Sequence, residues 1–175
     1  MSDTIQNILI LEDNRDDVVL IKRQIKKAYP DATFSVAEDR QAFLKKINWI
    51  TPSLIISDYN LPDYNGLEAL LYCRENLPTV PFVFVTGALD SQESAAEAIL
   101  NGAAGYILKD NIRTLPTKLP EIVERFRDQN STIEIMRTQL NRVRLLAQKI
   151  ETKAGMGDSE AVIPLIKKLR SILSE

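Results

Sequence analysis

Glu12, Asp13 and Asp58 are carboxylates that directly follow short apolar runs, and Thr86 and Lys109 close the ends of two more. If those runs are parallel strands of one sheet, all five side chains converge on one rim. Three carboxylates held close repel one another, and their pKa values rise unless a cation neutralises them. An oxygen-rich acidic site favours a hard cation, and Mg²⁺ suits one that keeps several waters. Lys109 adds a second positive charge and Thr86 a hydroxyl donor. A divalent cation, an ammonium and a hydroxyl together fit a phosphoryl group. Asp58 is then the natural nucleophile, a carboxylate presented to phosphorus in line.

Taken singly, these residues have plainer readings. Glu12 or Asp13 could cap a helix, Lys109 could be a surface lysine, Thr86 a β-branched strand residue and Tyr106 part of a core. Asp58 resists such a reading, because an apolar strand rarely ends in an unpaired carboxylate. The pair Asp16-Asp17 reads as a helix N-terminal charge pair favoured by the dipole, and Asp63 as a solvated loop residue. The sequence contains no histidine and one cysteine, Cys73. Histidine-based triads, histidine-ligated metals, an internal phosphohistidine and an intrachain disulfide are therefore excluded. Cys73 reads as a small buried hydrophobe in a helix.

The elements that must position these residues follow from hydrophobic pattern and punctuation. Asn7–Leu11, Thr33–Ala37, Leu54–Ser57, Phe82–Val85 and Tyr106–Leu108 read as strands. Between them lie helices over Asp16–Ala28, from the cap Asp39 to about Trp49, over Leu67–Asn76, and from a cap at Asp90 or Ser91 to Leu100. A fifth helix begins near Thr117 with Pro120 in its first turn. Alternation of this kind calls for an α/β fold, a doubly wound five-stranded parallel sheet. The uninterrupted apolar strands suit the centre of the sheet. Ligands of such sheets sit at the carboxyl ends of the strands.

With those elements in place the sequence resembles the CheY-like receiver of two-component response regulators, a flavodoxin-like fold, over about residues 5–126. The motifs are the apolar strand before Glu12-Asp13, the segment SDYNLPDYNGLEAL around Asp58, VTGA from Val85, and GAAGYILKD ending at Asp110. The resemblance implies that Asp58 is the phosphoacceptor. It implies that Asp13 ligates Mg²⁺ directly, that Glu12 acts partly through water, and that the backbone carbonyl of Asn60 completes the metal shell. Thr86 would bond a phosphoryl oxygen and move toward it, and Lys109 would pair with another. Tyr106 would be the switch aromatic, turning inward as Thr86 moves, and the small Gly87 would leave the group accessible. The readout surface would be the face of the fourth helix, fifth strand and fifth helix. Many receivers follow the lysine with a cis-proline, whereas here Asp110 follows Lys109. The run GYILKDN and the leucine-rich stretch after it resemble receivers associated with hybrid sensor kinases.

Beyond the receiver, assigned to 1–126, residues 127–175 read as a helical extension continuing from the fifth helix to about Lys153. Ile133, Met136, Leu140, Val143, Ala147 and Ile150 follow a heptad spacing. Such a stripe needs a second chain or a returning helix to cover it, so these six are the candidate dimerisation residues. Gly155-Met156-Gly157-Asp158 is a turn signal, and Pro164 suits the first turn of a short returning helix lined by Leu165, Ile166, Leu169, Ile172 and Leu173. The formal net charge is −2, with −4 over residues 1–120 and +2 over 121–175. That asymmetry is too mild to imply nucleic acid or an anionic membrane. One long heptad helix does not supply a helix-turn-helix reader, so DNA is not an expected partner. No signal peptide or apolar run of membrane length is visible, which points to a cytoplasmic location without membrane insertion.

The expected function is a phosphorelay receiver. It accepts a phosphoryl group on Asp58, with Mg²⁺, from a partner histidine kinase or histidine phosphotransfer protein. It is a signalling protein rather than an enzyme in its own right, catalysing its own phosphorylation and slow dephosphorylation. The expected output is a change in self-association, as a homodimer, or in partner docking. A constitutive dimeric adaptor with a vestigial site is one alternative, which the full set of five residues argues against. An aspartyl-phosphate phosphatase is another. It would carry a second Asp two residues after the nucleophile, where this chain has Asn60.

Overall fold

The structure is a computed structural model describing residues 5–87 and 92–173. The caps expected at Asp90 or Ser91 and the side chain of Leu173 lie outside the described residues. The chain divides into two compact units, residues 1–127 and 128–175.

The first unit holds a parallel sheet of β1 (Asn7–Leu11), β2 (Thr33–Ala37), β3 (Leu54–Ser57), β4 (Phe82–Thr86) and β5 (Gly105–Leu108), ordered β2-β1-β3-β4-β5. Helices α1 (Arg15–Ala28), α2 (Arg40–Trp49), α3 (Gly66–Asn76) and α4 (Gln92–Leu100) connect them. A 3₁₀ turn over Lys109–Thr114 leads from β5 into α5 (Leu115–Gly155). Local chemistry fixes several starts. Asn14 accepts from the N–H groups of Asp16 and Asp17 at the head of α1, Asp39 from Ala42 at the head of α2, and Asn65 from Leu67 at the head of α3.

Successive strand residues feed opposite faces of the sheet, as a pleat requires. Ile8, Ile10, Leu54, Ile56, Val83 and Val85 join one core with Ile21, Leu119 and Phe126. Leu9, Leu11, Ile55, Phe82 and Phe84 join the other with Phe43, Leu70 and Cys73. With helices on both faces, β3 and β4 are buried throughout. Each fully buried Ile, Leu or Phe contributes about 2 kcal/mol of transfer free energy. That double cover holds the strand ends in fixed register.

The second unit takes its residues from the later part of α5 and from α6 (Ser159–Leu173). The turn between them carries Gly157 at φ 72° and an ion pair of 3.0 Å between Lys153 and Asp158. Asp158 also accepts from the N–H of Ala161. Two starts differ from the sequence expectation. The 3₁₀ turn brings α5 in at Leu115, so Pro120 lies inside the helix rather than in its first turn. Asp158 bonds the first turn of α6 from before Ser159, which leaves Pro164 in that helix's interior. Leu145 and Thr152 face Ala161 and Leu165 across a groove of about 610 Å³. Leu146 is buried at 7% exposure, while Ile133, Met136 and Leu140 stand 46%, 65% and 68% exposed.

Candidate functional site

The rim at the carboxyl ends of β1, β3, β4 and β5 carries the polar cluster. Leu11 of β1 is aligned with Ser57 of β3, so Glu12 and Asp58 emerge side by side. The Asp58 N–H donates to the Leu11 carbonyl at 2.9 Å, and the Glu12 N–H to Ala37 at 3.0 Å. Both acids are nearly excluded from water, Glu12 at 1% and Asp58 at 8% exposure. Thr86 is buried at the end of β4, aligned with Leu108, and Lys109 is the next residue after Leu108.

The Asp58 carboxylate is held at both oxygens. Oδ1 accepts from the N–H of Tyr59 at 2.6 Å and of Asn60 at 3.3 Å. Oδ2 accepts from Lys109 Nζ at 2.7 Å. The backbone behind it is fixed by Ser57, whose hydroxyl donates to the Asp58 carbonyl, and by Gly66, whose N–H donates to the Tyr59 carbonyl. Gly66 has to be glycine here. A Cβ at that position would run into the Asp58 carbonyl oxygen and lie 2.9 Å from both Phe84 Cε1 and Tyr59 Cα. Gly87 borders the opposite side, where among the described residues a Cβ would meet only Lys109 Cδ, at an ordinary contact distance of 3.9 Å.

Lys109 is the centre of the charge arrangement. Its ammonium lies 2.7 Å from Asp58 Oδ2, 2.7 Å from Asp17 Oδ2 and 2.8 Å from Glu12 Oε2. Burial alone would push the Lys109 pKa down. Pairing with the carboxylates of Asp17, Asp58 and Glu12 outweighs that burial and holds it above the usual lysine range. Burial pushes the Glu12 pKa up, against the pull of Lys109 and of the Asn14 N–H. Glu12 Oε1 accepts from Asn14 at 3.1 Å. Its buried Oε2 is close enough to Lys109 to pair in charge but lies off the line of a hydrogen bond.

Glu12, Asp58, Thr86 and Lys109 are thus brought together at one rim. Asp13 and Asn60 stand at the same strand ends but exposed to solvent. Tyr106 points outward on β5 at 43% exposure, bordering a pocket of about 320 Å³ with Asn111 and Lys118. Asp63 is exposed in its loop. Asp17 departs from its sequence reading. It lies in the acidic first turn of α1, as a dipole partner would, but its side chain reaches the cluster. Its only sequence signal was its place five residues after Glu12.

The donor set suits a hard divalent cation. Glu12, Asp13 and Asp58 supply three negative charges at the strand ends, and Glu12 keeps a buried oxygen that lacks a hydrogen bond. Oxygen ligands of this kind are those that Mg²⁺ takes. Among the described residues no three carboxylates close on a common point without the lysine, because Lys109 sits between them.

Comparison with known proteins agrees with this geometry. The response regulator receiver domain family matches residues 8–120. The methanogenesis regulatory protein FilR1 of Methanothrix harundinacea is 31% identical over 127 residues, 70% of this chain and 28% of that protein. The chemotaxis protein CheY of Listeria monocytogenes is 30% identical over 97 residues, 54% of this chain and 81% of that protein. A CheY-like receiver domain from Methanospirillum hungatei superposes with a TM-score of 0.62 at 26% identity, covering 72% of this chain and 99% of the other. The chain spans less than a third of the length of the first curated relatives it matches. No helix among the described residues is long and apolar enough to cross a membrane. With a five-stranded parallel sheet in the order β2-β1-β3-β4-β5 and an acidic cluster at the ends of β1 and β3, the chain belongs to the receiver-domain family of two-component response regulators.

Proposed function

We propose that the receiver unit accepts a phosphoryl group on Asp58 from a phosphohistidine of a partner kinase or phosphotransfer protein. The observation that carries this reading is the double restraint on Asp58, two backbone N–H groups on Oδ1 and an ammonium on Oδ2. A nucleophile whose carboxylate is so held is already oriented at the rim where phosphorus would arrive. A carboxylate oxygen forms the new O–P bond as the donor N–P bond breaks, and the departing imidazole takes up a proton. Lys109 would pair with the charge on the transferring oxygens, and the hydroxyl of the buried Thr86 would donate to another. Glu12, Asp13, Asp58 and the Asn60 carbonyl would hold Mg²⁺, which when bound neutralises charge on the phosphoryl oxygens. The buried walls around Asp58 limit water at the acyl phosphate and so slow its hydrolysis. Tyr106 faces solvent in the structure, as the switch aromatic of a resting receiver would.

The output we assign is a change in self-association or partner docking. Its support is the exposed part of the heptad stripe, Ile133, Met136 and Leu140, beside the better covered Val143, Ala147 and Ile150. A helix cannot leave such a stripe in water without cost.

Two measurements test the proposal. Acetyl phosphate with Mg²⁺ should raise the mass of the wild-type chain by one phosphoryl group, and Asp58→Asn should not take it up. Light scattering with and without Mg²⁺ and beryllofluoride, a stable mimic of the phosphoryl group, reads the output. A shift from monomer to dimer makes assembly the signal. A dimer under both conditions favours the constitutive adaptor, and a monomer under both removes the self-association reading.

A further inference from the structure

A lysine ammonium has three N–H donors and no acceptor. In this structure three carboxylate oxygens, from Glu12, Asp17 and Asp58, lie within 2.8 Å of Lys109 Nζ. Asp17 and Asp58 take two of the three N–H donors and Glu12 crowds the third as a charge partner, so an incoming phosphoryl oxygen has to displace at least one of these contacts. On the receiver reading proposed above, two of them have other work. Asp58 becomes the acyl phosphate, and Glu12 turns to the cation. Asp17 has neither role.

Asp17 also sits on a different element. It lies in the first turn of α1, where Asn14 accepts from the backbone N–H groups of both Asp16 and Asp17. Its backbone is therefore fixed by the helix cap. The Asp17–Lys109 pair is partly shielded, with the two side chains 24% and 17% exposed. A four-carbon lysine stem is floppy by itself, and a partner on a capped helix end removes much of that freedom.

We infer that Asp17 is the standing anchor of Lys109, a positioning residue that keeps the ammonium aimed at the phosphoryl site while its contacts with Asp58 and Glu12 are exchanged. It acts through Lys109 and not on the phosphoryl group. Asp16 is the natural control, being one residue away, of equal charge and exposed.

The test is the affinity of the full chain for beryllofluoride with Mg²⁺, measured by calorimetry in wild type, Asp17→Asn and Asp16→Asn. Loss of one charge-assisted hydrogen bond predicts binding about tenfold weaker in Asp17→Asn. Asp16→Asn should stay within about twofold of wild type, because its charge is solvated. Mg²⁺ affinity without beryllofluoride should fall alike in both variants, since each removes one nearby charge. A purely structural role would not separate the two measurements. Asp17→Ala gives the same reading should the Asn variant fail to fold. Beryllofluoride binding equal in the two Asn variants would overturn the assignment. Tighter binding in Asp17→Asn would also overturn it, making Asp17 a competitor for Lys109. A wild type that binds no beryllofluoride would sink the receiver reading and this assignment with it.

Discussion

The receiver unit and the helical unit use their apolar residues in opposite ways. In the receiver unit both faces of the sheet are covered, β3 and β4 are buried throughout, and polar side chains enter the interior chiefly at the strand ends. In the helical unit Leu146 is the one apolar side chain below a tenth exposure among the described residues, while Ile133, Met136 and Leu140 face solvent. The first arrangement can aim a carboxylate, because its frame is closed on every side. The second can offer a surface, because its frame is open. Chemistry and contact are thus separated along the chain.

Asp58→Asn should break the contrast at its chemical end. We expect complete loss of phosphoryl uptake by mass spectrometry, with circular dichroism showing the helical unit unchanged. Gly66→Ala tests the closed frame directly. Its new Cβ has no room against the Asp58 carbonyl, and overpacking of this kind costs about 3 kcal/mol. Thermal melting should show the loss, and Gly87→Ala, whose Cβ among the described residues makes only an ordinary contact with Lys109, should melt close to wild type. Leu146→Ala tests the open frame. It should cost about 2 kcal/mol, and hydrogen exchange should place the loosening in residues 128–173 while β1, β3 and β4 stay protected. The smallest effect is expected at Asp158. Its hydrogen bond from Lys153, helped by the Ala161 N–H, holds its pKa below the usual carboxylate range. Stability from that group is present at neutral pH and lost as pH falls through the lowered value. Helicity of the second unit in Asp158→Asn should therefore fall short of wild type at neutral pH, and the gap should close as acid protonates Asp158.

Much of the receiver was legible because its signals are local. Apolar runs of strand length, the cap at Asp39 and the turn chemistry each act within a few residues, whereas the first helix is capped by Asn14 and not by Glu12 or Asp13. The convergence of Glu12, Asp58, Thr86 and Lys109 was legible because a parallel sheet places every strand's carboxyl end on one rim. Asp17 was not, since the partner that defines its role is 92 residues away and a dipole reading accounted for it fully. The interior positions of Pro120 and Pro164 were missed because proline is read as a start signal. In both helices the actual start lies a turn or more earlier, at Leu115 and Ser159. The heptad count named Val143, Ala147 and Ile150 but passed over Leu146, the most buried of that stretch. A spacing rule marks the stripe that is apolar and does not say on which side a neighbour stands.

The grip on Asp58 has one more consequence. An isolated carboxylate is symmetric, and a half turn about its last bond exchanges two identical oxygens. Here that half turn would break two backbone hydrogen bonds and one ammonium contact together. The oxygens are therefore distinguishable, one bonded to the main chain of the following loop and one to the lysine that follows the edge strand β5. A phosphoryl group arriving at this residue meets a reagent with a handed environment, and the two faces of the site report to different parts of the fold.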